Sequence, residues 1–65
     1  MIKLDDYYGF QLTILLGNDA VQTADDVAGL LEKTAKRIRQ GSDYGKIMDI
    51  NGNSVGQFEF MKGGR

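Results

Sequence analysis

The chain has 65 residues, with 8 Lys and Arg against 9 Asp and Glu, a formal charge of −1, and no Cys, His, Pro or Trp. A chain this short reads as one domain, residues 1–65, that buries only about 60% of the surface its unfolded form exposes. Without Cys or His, neither a disulfide framework nor a Cys/His zinc site can add to that small core.

The first predicted element is a strand. Phe10, Leu12, Ile14 and Leu16 alternate with Gln11, Thr13 and Leu15, a period of two with one apolar face. Ile2 and Leu4 allow an earlier start, with Asp5-Asp6-Tyr7-Tyr8-Gly9 as a bend or bulge, and Gly17-Asn18-Asp19 supplies the turn chemistry that ends the strand.

A helix follows. Thr23 stands as a cap before Asp25 and Asp26, with Asp26 in the capping-box position. Ala24, Val27, Ala28, Leu31, Ala35 and Ile38 recur at steps of three and four as an apolar stripe, with Leu30 and Thr34 on its flank. Lys33, Lys36, Arg37 and Arg39 load the C-terminal turns, where the helix dipole favours positive charge. Gly41 suits the residue that ends the helix. Gly29 costs ~1 kcal/mol relative to Ala in a helix interior, and a close helix–sheet contact would account for it.

The third element is a hairpin, with residues 44–50 and 55–61 flanking Asn51-Gly52-Asn53-Ser54. A four-residue loop pairs Ile50 with Val55, Ile47 with Phe58 and Lys46 with Glu59, whereas a two-residue Asn51-Gly52 turn shifts the partners by two and keeps the faces. Residues 62–65 read as a frayed tail. The expected fold is α+β, in the order β-α-β-β: a three-stranded antiparallel sheet with one helix packed on one face.

Ile47, Phe58 and Phe60 then share the helix-covered face with Phe10, Leu12, Ile14 and Leu16. The opposite face carries Tyr44, Met48, Ile50, Val55 and Met61, and a single helix leaves it uncovered. Tyr44, Met48, Ile50 and Val55 are therefore a candidate contact surface, read against an ordinary half-wet sheet. Open sheet edges add a second route to association.

The small net charge hides an uneven distribution. Residues 1–32 set Lys3 against Asp5, Asp6, Asp19, Asp25, Asp26 and Glu32, while residues 33–65 hold seven basic residues against Asp43, Asp49 and Glu59. Asp5, Asp6, Asp19, Asp25 and Asp26, with Tyr7 and Tyr8, form a candidate surface for an Arg/Lys-rich protein partner. The competing explanation is solubility and helix capping. Lys33, Lys36, Arg37, Arg39 and Lys46 offer an alternative set of phosphate contacts, against which stands a pI near 5.1.

Catalytic constellations are missing from the composition, since no imidazole or thiol exists to act as base or nucleophile. Asp49-Ile50-Asn51-Gly52-Asn53 has a faint look of a calcium loop but lacks its spaced acids and bidentate Glu, so it reads as a turn. No metal or cofactor is expected. The longest apolar run, Ile14-Leu15-Leu16, is far short of the ~20 residues of a membrane helix. Residues 1–6 lack the apolar core of a secretory signal, so a cytoplasmic protein with no membrane contact is expected.

The size, the lack of Cys and His, the acidic patches, the strand–helix–hairpin order and the segment Lys46-Ile47-Met48-Asp49-Ile50-Asn51-Gly52-Asn53-Ser54-Val55-Gly56 resemble the small one-domain proteins of phages and mobile elements, among them the anti-CRISPR inhibitors. The resemblance implies a non-enzymatic inhibitor that blocks a nucleic-acid-guided nuclease, a CRISPR effector complex in a bacterial host, with acids competing for basic residues of the target. The alternatives are a small nucleic-acid-binding protein and a homo-oligomeric structural subunit, for instance a homodimer.

Overall fold

A computed structural model of the chain describes residues 1–63. Four elements follow in the expected order: β1 (Tyr7–Ile14), α1 (Ala24–Arg39), β2 (Tyr44–Met48) and β3 (Ser54–Lys62). β3 lies at the centre of a three-stranded sheet in the order β1-β3-β2, antiparallel to both neighbours. β1 and β2 therefore point the same way, and α1 carries the chain back along the sheet between them. Sixteen helical residues rise roughly 24 Å, close to the roughly 26 Å of an eight-residue strand, so one helix suffices for the return.

Both helix ends follow the sequence signals. The Thr23 hydroxyl accepts from the Asp26 N–H at 3.2 Å, and the Asp26 carboxylate accepts from the Thr23 N–H at 3.0 Å, a complete capping box. At the other end Gly41 has φ 109°, and its N–H reaches Ile38 O while the Ser42 N–H reaches Arg37 O. These two bonds satisfy carbonyls that the last turn would otherwise leave open.

The core consists of Val21, Leu30, Ile47, Val55 and Phe58, with Leu12, Ile14, Val27 and Ile38 packed around it. The helix thus faces the sheet through Leu30 and Thr34, both buried, whereas Leu31 is 43% exposed and Ala24 and Ala28 lie in solvent. The expected stripe is rotated by about one residue, or ~100°. Thr34 tolerates burial because its hydroxyl donates to Leu30 O at 2.8 Å. Gly29 faces open space, so no close contact explains it.

Three further expectations change. β1 starts at Tyr7, with a bulge between Tyr7 and Gly9, and ends at Ile14, leaving Phe10 and Leu16 exposed instead of under the helix. Ile47 pairs with Gly56 and Lys46 with Gln57, the partners given by the two-residue turn, so Lys46 does not face Glu59. Lys62 belongs to β3 and Gly63 donates to Asp6 O at 2.9 Å, so neither is frayed; residues 64 and 65 lie outside the described residues. No helix among the described residues is long and apolar enough to cross a membrane.

Candidate interaction surface

At one end of the molecule two turns are joined by a side-chain bond. The chain leaves β1 through Gly17 (φ 99°), and Asn18 Oδ1 accepts from the Ala20 N–H while Asn18 O accepts from the Val21 N–H. Asn18 Nδ2 then donates to Asp49 Oδ2 at 3.0 Å. Asp49 also organises the hairpin tip: its Oδ1 accepts from the N–H groups of Asn51 and Asn53, at 2.9 and 2.8 Å. Gly52, at φ 83°, takes the left-handed position that lets the chain turn back. The backbone N–H of Asn53 foremost, with that of Asn51 and the amides of Asn53 and Asn18, holds the Asp49 carboxyl below its ordinary range, against a desolvation that pushes the other way.

These braced turns display apolar side chains. Leu15 and Leu16 at the exit of β1 are 67% and 72% exposed, and Ile50 at the hairpin tip is 81% exposed. Leu16 lines an open groove of about 640 Å³ with Val21, Gln22, Thr23, Ala24 and Val27, whereas Leu15 lines a separate one with Thr13, Val55 and Gln57. Asp19 and Asp25 are exposed nearby, in the loop and in the first helical turn. The result is an apolar end with an acidic rim.

The seven acidic and Tyr residues singled out in the sequence do not form one patch. Asp5, Asp6, Tyr7 and Tyr8 sit at the start of β1, while Asp19, Asp25 and Asp26 sit beyond its far end, a strand length of roughly 26 Å away. Two of the seven have structural tasks. Asp26 closes the capping box and also accepts from the Gln22 N–H; that bond first, then the Thr23 N–H and hydroxyl, lowers its pKa. The Tyr7 hydroxyl donates to Asp43 Oδ2 at 2.8 Å, which raises the phenol pKa, and its ring meets Phe60 edge-on at 5.7 Å. Tyr8 stays exposed, its hydroxyl 3.8 Å from Met61 Sδ.

The second predicted surface loses a member. Ile47 pairs with Gly56 but Met48 with Ser54, so Val55 is an extra residue in β3, turned into the core at 3% exposure. Tyr44, Met48 and Ile50 remain exposed. Among the basic candidates, Lys33, Lys36, Arg39 and Lys46 are exposed, but Arg37 is a clamp. Its guanidinium donates to Lys46 O at 2.6 Å and lies 5.1 Å from the Phe58 ring centre. Gly45 makes room for it, since a Cβ there would collide with the Arg37 side chain.

The Asn18–Asp49 bond and the Arg37 clamp are what sequence reasoning missed. Asp49 followed by two Asn residues and Gly carried a turn signal, but nothing in it pointed to Asn18. Comparison with family models, curated proteins and solved structures finds no match to this chain.

Proposed function

We propose that the protein is a non-enzymatic binding domain that acts by occupying a surface of a protein partner. The contact face is the loop end that carries Leu16 and Ile50, rimmed by Asp19 and Asp25. The observation that carries this reading is the gathering of exposed apolar residues on two turns that Asn18 and Asp49 hold together. An apolar patch on braced loops loses little conformational entropy on binding.

The acidic rim fits a partner with an apolar hollow flanked by Arg or Lys. A nucleic-acid-binding groove of a guided nuclease complex has that chemistry, and occupying it would inhibit the nuclease in the manner of the anti-CRISPR proteins. Use of Arg37 as an internal clamp favours a protein partner over direct nucleic-acid binding, because the basic helix end keeps fewer free cations. Asp49 is also no candidate acid or base, as both of its oxygens already accept N–H donors.

The test is direct binding to purified effector complexes, followed by biolayer interferometry. Saturable binding that drops at least 10-fold in Leu16→Glu/Ile50→Glu, and weakens with Asp19→Lys/Asp25→Lys, supports the assignment. Equal affinity of wild type and both variants overturns the loop end as the contact face.

A further inference from the structure

The two edges of the sheet are treated differently. β2 is short, carries Lys46, and has the Arg37 guanidinium on the outward carbonyl of that residue. These are recognised ways of blunting an edge against pairing. β1 has none of them from Gly9 to Ile14: no charge, no Pro, and an unbroken register against β3. No other strand among the described residues pairs with its outer side.

The register shows which groups are left over. The Leu15 N–H bonds to Val55 O at 2.7 Å, so alternate residues Gln11 and Thr13 also point their polar groups at β3. Phe10, Leu12 and Ile14 therefore point their N–H and C=O groups outward. Their side chains share the helix-side face, where the cover is incomplete. α1 makes its closest approach to β2, Phe10 is 44% exposed, and Leu12 and Ile14 are only half-buried. Lys33 and Arg37 of the helix border the β2 side with Met48, which turns the opposite flank, with Leu31 and Ala35, toward the open β1 half.

We propose that the free edge of β1 pairs antiparallel with β1 of a second copy, centred on Leu12, to give one continuous sheet and a closed two-fold dimer. Leu12 is then opposite Leu12 of the other copy, and Phe10 opposite Ile14. If each opposed pair exchanges two hydrogen bonds, roughly six bonds join the chains. The same pairing sets Phe10 of one copy on Ile14 of the other, covering the half of the apolar face that a lone helix leaves open.

Two arguments favour a second copy over a foreign strand. The demand is permanent, because only five apolar residues are buried among the described residues, the sequence has no Cys for a disulfide, and self-association is one means of enlarging so small a core. With one edge blunted and one free, pairing also closes on itself instead of growing a fibre. The dimer does not depend on the binding function proposed above.

The test uses Gln11 and Thr13, whose exposed side chains lie on the face away from the helix and face each other across the two-fold. Sedimentation equilibrium and light scattering are expected to give twice the 7.2 kDa chain mass for the wild type. Gln11→Lys/Thr13→Lys places like charges opposite each other and is expected to fall to the single-chain mass with an unchanged circular dichroism spectrum. Gln11→Lys/Thr13→Glu places opposite charges there and restores the dimer. A monomeric wild type, a dimeric Lys/Lys variant, or a folded Lys/Glu variant that stays monomeric would each overturn the proposal.

Discussion

Asn18 Nδ2 donates to Asp49 Oδ2 at 3.0 Å, across 31 positions of sequence, and this bond ties the exit of β1 to the tip of the β2–β3 hairpin. Asp49 is 7% exposed and accepts from both turn amides, so its charge is matched almost entirely by N–H donors. The two loops that present Leu16 and Ile50 are therefore braced against each other.

This arrangement sets an acid dependence. Donors hold the folded-state pKa of Asp49 below its unfolded value, as they do for Asp26. The stabilisation is present above the unfolded value of about 3.9 and is lost as pH falls through the folded pKa. Thermal melts of the wild type are expected to fall steeply below about pH 4. Asp49→Asn should melt lower at pH 7 and show a flatter decline on acidification. A variant with the wild-type slope would remove Asp49 from the effect.

Arg37 and Gly45 make a matched pair. The guanidinium lies over Phe58 and bonds an outward carbonyl of β2 in the space left by the missing Cβ. Arg37→Ala is expected to cost about 1–2 kcal/mol in urea unfolding, from the lost cation–π contact and the charged hydrogen bond. Gly45→Ala should also destabilise, and Gly45→Ala/Arg37→Ala should cost less than the two single changes together.

Gly29 sits in a helix interior with nothing within 4 Å of where its Cβ would be. Gly29→Ala should stabilise the chain by about 0.5–1 kcal/mol, read from the same urea transition. A loss of stability would show that the helix surface there is already packed.

Thr23 begins the helix with a complete capping box. Thr23→Ala is expected to cost about 1 kcal/mol, while Thr23→Ser should stay near wild type. The far-ultraviolet melting midpoint reports the difference.

The elements were readable because periodicity and punctuation agree: alternation in β1, Thr23 and Asp26 at the helix start, Gly41 at its end, and Asn51-Gly52 in the hairpin. Which helix face is buried was not. Leu30 and Leu31 are neighbours, and the Ala residues around Leu31 weight the pattern toward a flank that the sheet does not cover. Val55 escaped for a related reason, since one extra residue at Ser54–Val55 sends a side chain to the other face and leaves no mark on the alternation. The acidic group looked single because sequence distance hides that a strand stands between its halves. Arg37 looked like its basic neighbours because a clamp and a solvated helix end use the same residue type.

The proposed function is tested most directly by titrating the protein into a DNA-cleavage assay of purified guided-nuclease complexes. Stoichiometric suppression of cleavage by the wild type is expected, abolished by Leu16→Glu/Ile50→Glu with the fold intact. Uninhibited cleavage across the complexes, or inhibition undiminished in that variant, would contradict it.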